Sequence, residues 1–265
     1  MPLIVWIILF CLVGGVLSVL AAALFLVLRE PRRNRMLPHL ISFATGALLG
    51  AAFMGLLPHA LDAPGITDSH YIPLAILLGL LGFFLLEKMV IWRHCHADHC
   101  EVHTPGESHA HGGIARQRSV GTLILFGDGL HNFLDGVLIA GAFLTDVHLG
   151  IVTSLAVTAH EIPQEVGDFA LLLHSGYGRG SALFYNVLTS LTTVIGGVLS
   201  YYTLSDIQAV LPYVLAVAAS SFIYIAVADL IPTLHQRIEV RATVQQVVLI
   251  AAGVLVIYFT HSTLH

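Results

Sequence analysis

Apolar runs long enough to cross a bilayer recur along the chain, separated by short polar breaks. A membrane-spanning helix needs roughly 20 mostly apolar residues. On that measure the pattern predicts eight helices, at about 4–28, 39–61, 72–92, 119–144, 149–174, 180–202, 210–233 and 243–262. The breaks carry turn chemistry: Pro31, Pro38, Pro64-Gly65, Gly176 to Gly180, and Pro232 near the end of the seventh run. The fourth and fifth runs differ from the rest, because polar residues recur inside them at helical spacing.

Composition fits a polytopic membrane protein. Apolar residues make up 57% of the 265 positions and charged residues only 10%, against about 25% in soluble domains. One compact all-α unit is expected, an eight-transmembrane-helix bundle with the bilayer as its solvent. Nothing points to nucleic acid or to an organic cofactor. The first run has no positively charged leader and no clear cleavage site before it, so it reads as the first membrane helix. Three cysteines (Cys11, Cys95, Cys100) make no disulfide framework, and Cys11, inside an apolar run, reads as a packing residue.

Charge then orients the bundle. All eleven Lys and Arg fall on one side of the predicted topology: Arg29, Arg32, Arg33 and Arg35 after the first helix, Lys88 and Arg93 at the end of the third, Arg116 and Arg118 before the fourth, Arg179 after the fifth, and Arg237 and Arg241 after the seventh. The opposite loops hold Asp62, Asp68, Asp146 and Asp206 and no basic residue. By the positive-inside rule both termini face outside and the basic loops face the cytoplasm. A plasma (inner) membrane is the expected location.

The candidate chemistry lies in the fourth and fifth helices. "FGDGLHNFLDGVLIAGAF" carries Asp128, His131 and Asp135 at i, i+3, i+7, on one helical face, with Asn132 at its edge. "AVTAHEIPQEVGDFALLLHSG" carries His160 and Gln164 at i, i+4, with Asp168 a turn further; Glu161, Glu165 and Asp168 make an overlapping stripe. Each ionised group at mid-membrane costs about 2.5–3.5 kcal/mol on insertion scales, so five carboxylates facing lipid would cost on the order of 10 kcal/mol. They must face each other, water or a cation. The short loop between the two helices predicts an antiparallel pair whose motifs meet near mid-membrane. Pro163 removes one backbone hydrogen bond and is expected to bend its helix. Imidazole (His131, His160), carboxylate (Asp135, Glu161) and amide (Gln164) without thiolate suit Zn²⁺, Fe²⁺ or Mn²⁺ better than Ca²⁺, Mg²⁺ or Cu(I).

Two alternatives stay open on these residues. HEIPQ lacks the second histidine of a zinc-protease HExxH, yet His131 and Asp135 could imitate a third ligand, so an intramembrane zinc metalloprotease is one. A cation channel with rings of acidic residues is the other. The stretch at about 93–118 is rich in histidine and cysteine: His94, Cys95, His96, His99, Cys100, His103, His109 and His111 are candidate ligands on the cytoplasmic side.

At these motifs the sequence resembles the ZIP (Zrt-, Irt-like) metal transporters. HNFLDG is similar to the family's HN-x-x-[DE]-G, and HEIPQEVGDFALLLHSG to the HExPHExGD signature of one branch. "FATGALLGAAFMGLLPHA" and "SFIYIAVADLIP" extend the likeness to most of the chain. The resemblance implies an inverted repeat, with helices 1–3 related to 6–8 around the central pair. It also implies a transporter that moves divalent metal, usually zinc, into the cytoplasm. Its metal site matches His131, Asn132, Asp135, His160, Glu161 and Gln164. Gln164 stands where the branch has histidine, which leaves Fe²⁺, Mn²⁺ and Cd²⁺ as further substrates to test. Candidate pathway residues are His59, Asp62, Asp128, Glu165, Asp168 and His174. A homodimer is a candidate assembly.

Overall fold

The computed structural model describes residues 1–64, 66, 68, 70–96, 113–236 and 239–264. These form eight helices and no strand: α1 (Leu3–Leu26), α2 (Glu30–Leu61), α3 (Tyr71–His96), α4 (Gly113–Thr145), α5 (Val147–His174), α6 (Arg179–Leu204), α7 (Gln208–Leu234) and α8 (Val240–Leu264). Six of them are long and apolar enough to cross a membrane; α4 and α5, which carry the polar motifs, are not among them. Long apolar side chains stand exposed along α1 (Leu9, Leu20, Leu24), α3 (Leu77, Leu81, Leu85), α6 (Phe184, Leu188, Leu199) and α8 (Val244, Val248, Phe259). Apolar faces this large are stable against hydrocarbon and not against water. The fold is an all-α polytopic membrane protein.

The helices associate in four parallel pairs. Gly46 of α2 meets Ile250 of α8, and Gly50 meets Val254 and Ile257. Gly79 of α3 meets Ser220 of α7, and Phe83 stacks on Tyr224. Gly136 of α4 meets Thr193 and Gly197 of α6. Gly14 of α1 meets Val157 of α5, and further along Phe25 clusters with Val166. Exchanging α1 with α6, α2 with α7, α3 with α8 and α4 with α5 turns each pair into another of the four. The exchange also joins helices of opposite direction. This is the packing that an inverted repeat of α1–α3 and α6–α8 gives.

Two pairs are sealed by reciprocal backbone contact. Gly46 lies on the carbonyl of Ile250 while Gly253 lies on that of Phe43; Gly136 lies on Thr193 O while Gly196 lies on Phe133 O. A β-carbon at any of the four would overlap backbone, so glycine there sets how closely the axes approach. Lipid supplies no hydrophobic force between helices, and such close packing replaces it. Cys11 fits the same logic, buried with its sulfur against Gly197.

Helix boundaries depart from the hydropathy pattern at proline. α2 begins at Glu30, not 39; Pro31 sits in its first turn and Pro38 inside it. A proline in the first turn lacks only an N–H that has no helical partner anyway, and the one at 38 costs a single bond. Arg32, Arg33 and Arg35 therefore lie on a helix and not in a loop. α5 likewise runs on through Pro163. α3 reaches His96 and α4 starts at Gly113, so both helices extend beyond the apolar runs at 72–92 and 119–144. His94, Cys95 and His96 fall on the last turn of α3, while His99, Cys100, His103, His109 and His111 lie outside the described residues.

Three helices also contain a wide π-turn, at Val13–Leu17, Ala51–Leu56 and Ile225–Leu230. The last two occupy matching places in α2 and α7, each followed at once by a residue and a proline (Leu57-Pro58, Ile231-Pro232). A proline ring clashes with the carbonyl four residues back in a regular helix, and a wider preceding turn makes room for it.

Candidate metal site

α4 and α5 form an antiparallel hairpin. Asp146 turns the chain: its side chain accepts the amide hydrogens of His148 and Leu149 at 2.8 and 2.9 Å, capping α5. Near that turn Gly150 seats the ring of Phe143. This packing fixes the register, and further down the hairpin it brings the polar faces together.

Four side chains meet there. His131 and Asp135 come from α4, His160 and Glu161 from α5, each offering a ligand atom within 4.8 Å of all the others. The two imidazole Nε2 atoms are 3.3 Å apart. Nε2 of His131 lies 3.2 Å from Glu161 Oε1 and 3.8 Å from Asp135 Oδ2. Nε2 of His160 lies 3.4 Å from Asp135 Oδ2 and 3.5 Å from Glu161 Oε1. Ligand bonds of about 2.0–2.1 Å in a tetrahedron put neighbouring ligand atoms about 3.3 Å apart, so these edges are the size that a zinc-like ion would span.

Among the described residues, the two carboxylates are paired only with the two imidazoles. Asp135, His160 and Glu161 are each 1% exposed. Neither oxygen of Asp135 or Glu161 receives a well-directed hydrogen bond. Leaving a buried carboxylate without donors is costly, and a cation held among the four removes that cost. His160 Nδ1 bonds the carbonyl of Ala156 at 3.2 Å; donating there leaves the lone pair of Nε2 aimed at the cluster. Phe222 of α7, fully buried, packs its ring 6.3 Å from that of His160 and keeps this side of the cluster apolar.

The other predicted site residues separate into groups. Asn132 is buried beside the cluster, but its amide is engaged elsewhere. Its nitrogen donates to Asp128 Oδ1 at 2.8 Å and its oxygen accepts from Thr193 Oγ1 of α6 at 2.8 Å. It links α4 to α6 and holds Asp128 in place. Gln164 is half-buried and lines a cavity of about 400 Å³ with His131, Asp128 and Asp168. Glu87, Tyr224 and Asp229 stand on its far wall, where the Tyr224 hydroxyl donates to the Glu87 carboxylate. His131, 23% exposed, is the member of the cluster that opens into this space. Glu165 is fully buried, and neither of its oxygens takes a well-directed hydrogen bond.

The remaining candidates lie far from the cluster along the helices. His174 is exposed at the end of α5 and bonds its own helix through Ala170 O at 2.8 Å. His59 lines a second cavity, of about 480 Å³, at the opposite end of the bundle, and Asp62 is exposed just past the end of α2.

Sequence reasoning missed Thr193. The signal was present in α6, where Asn186, Ser190, Thr193 and Gly197 repeat at i, i+4, i+7, i+11. All four are buried, on the face of α6 packed against α4 and α1.

A bundle of apolar helices around a buried bis-histidine, bis-carboxylate cluster defines a membrane protein equipped to hold a transition metal. Comparison with known sequences makes this specific. The pattern of the ZIP zinc transporter family matches residues 2–261, and the chain belongs to that family. Among similar proteins, zinc transporter ZIP13 of Pongo abelii is 32% identical over 232 residues, covering 83% of this chain and 65% of that protein. Zinc transporter YKE4 of Saccharomyces cerevisiae is 31% identical over 219 residues, 77% of this chain and 63% of that one. Zinc transporter foi of Drosophila melanogaster is 42% identical over 131 residues, 49% of this chain and 17% of that one. The chain thus spans just under two thirds of the length of these ZIP13 and YKE4 proteins, and far less of foi. The family is one of transporters and not of enzymes, so the protease alternative falls away.

Proposed function

We propose that the protein carries divalent metal, zinc foremost, across the membrane into the cytoplasm, and that His131, Asp135, His160 and Glu161 bind the ion in transit. The observation that carries this reading is the tetrahedron-sized cluster of two imidazoles and two buried carboxylates whose oxygens take no well-directed hydrogen bond. Mixed nitrogen and oxygen ligands hold zinc firmly enough to select it and less tightly than a thiolate cage. Release then follows into the cavity beyond His131, past Gln164 and Asp168 toward Asp229 and Glu87.

Direction follows from charge. The cavity lies on the side of the hairpin where α4 begins and α5 ends, the side of all the basic residues in the sequence, so it opens to the cytoplasm under the positive-inside rule. The termini then face outside, in a plasma membrane whose lipid covers the exposed faces of α1, α3, α6 and α8. Gln164, beside the cluster, tunes the choice among Zn²⁺, Fe²⁺, Mn²⁺ and Cd²⁺. Asn132 supports the site through Asp128 and Thr193.

The test is uptake of each of the four ions into proteoliposomes holding the full chain. Zinc uptake that vanishes in His131→Ala and His160→Ala is the expected result. Uptake indifferent to both substitutions, or none in the wild type, overturns the proposal and returns the channel reading.

A further inference from the structure

The bundle has a second histidine pair built like the first. At the end of α2, His59 faces His261 in the last turn of α8, their ring centroids 5.5 Å apart and their planes at 73°. In the mid-membrane cluster His131 and His160 stand 5.6 Å apart at 85°, with their Nε2 atoms within ligand-sharing distance. The anchoring matches as well. His59 Nδ1 bonds the carbonyl of Gly55, four residues back, at 2.9 Å, as His160 bonds that of Ala156. When Nδ1 donates to a carbonyl, the lone pair of Nε2 points away from the helix, the orientation typical of metal-bound histidine.

The surroundings favour a cation. α2 and α8 run parallel and are locked by the Gly46 and Gly253 contacts, so the two rings are set by rigid backbone rather than by a loop. Both histidines are half-buried. His59 borders the 480 Å³ cavity, whose other walls include Thr145 of the α4–α5 turn and Gln208 of α7. The loops at this end carry Asp62, Asp68, Asp146 and Asp206 and no Lys or Arg. A negative, base-free end concentrates divalent cations near it.

We propose that His59 and His261 together bind a divalent transition-metal ion at the end of the bundle opposite the open cavity. Two imidazoles leave the remaining coordination positions to water, which suits capture with ready release. That this pair acts before the mid-membrane cluster rests on the direction of transport proposed above; that it binds metal does not.

The experiment is histidine footprinting of the detergent-solubilised full chain with diethylpyrocarbonate, read residue by residue by mass spectrometry, with and without Zn²⁺. Zinc is expected to slow modification of both His59 and His261. His261→Gln should abolish protection of His59, and His59→Gln that of His261, whereas His131→Ala should leave both protections intact. Equal modification of His59 with and without Zn²⁺ in the wild type overturns the proposal and leaves edge-to-face ring packing. Protection of His59 that survives His261→Gln overturns it too. Protection of His131 and His160 in the same spectra reports on the mid-membrane site. Its absence, with the outer pair still protected, would defeat the transport site and leave this one standing.

Discussion

Two helix pairs in this bundle are joined in opposite ways. α2 and α8 meet through glycine against backbone, with Gly46 on Ile250 O and Gly253 on Phe43 O. α4 and α5 meet in the middle through two imidazoles and two carboxylates whose oxygens take no well-directed hydrogen bond. The first contact is dry, close and complete. The second is an arrangement that lipid and protein would both penalise unless a cation enters it. Packing joins the first pair, and polarity is concentrated in the second.

If that contrast is right, the two contacts should fail differently. The largest effect is expected from His131→Ala or His160→Ala, which should lower zinc uptake at least about 100-fold, because a first-sphere ligand should matter more than the outer partners whose loss costs about 10–100-fold. His131→Ala should melt in metal-free detergent no lower than wild type, since that side chain opens into a cavity and its loss empties no filled contact. Added zinc should raise the wild-type melting temperature, with about 2.7 kcal/mol of stabilisation at a hundredfold excess over Kd, and should not raise that of His131→Ala. A variant that melts early without metal would show the cluster to be structural.

Gly46→Val reverses the pattern. Its side chain must displace the Ile250 carbonyl, and overpacking of this kind costs about 1–3 kcal/mol or more. Thermal unfolding should show it, while the zinc affinity of whatever protein remains folded is unchanged. Unaltered stability would mean that the α2–α8 contact is looser than it looks.

Smaller effects sharpen the boundary of the site. Thr193→Val strips Asn132 Oδ1 of its donor and should cost about 1 kcal/mol of stability, with a fall in uptake well short of that from His131→Ala. An equal fall would make Asn132 a ligand rather than a support. Gln164→His should leave total uptake in place and move the ratio of zinc to iron or manganese severalfold toward zinc. An unchanged ratio would remove Gln164 from selectivity. Deleting residues 94–111 should alter uptake least, and only in its response to cytoplasmic metal; identical regulation would make that stretch a passive connection.

Much of this was legible along the chain. Apolar runs separated by turn residues located the eight helices, because each must be about as long as the bilayer is thick. The spacings of Asp128, His131 and Asp135, and of His160 and Glu161, placed these groups on helical faces too costly to expose to lipid. The short link at Asp146 required an antiparallel neighbour. Proline misled at position 38, where one lost bond is tolerated near a helix start, and nothing local announced the π-turns before Pro58 and Pro232. Asn132 entered the site through the family resemblance, and its periodicity placed it only at the edge of the polar face; its bond to Thr193 crosses 61 residues of sequence.

The sequence alone, then, determined which segments are helices, which faces are polar and which end of the bundle is basic, since these depend on a residue and those within a turn of it. The tertiary structure decided which polar groups meet: that His131, Asp135, His160 and Glu161 close into one cluster, that Asn132 turns away to Asp128 and Thr193, and that His59 finds His261. Contacts between helices depend on axial register and on how closely the axes approach. Both are set here by glycines whose partners lie on other helices, and no periodicity within a helix records them.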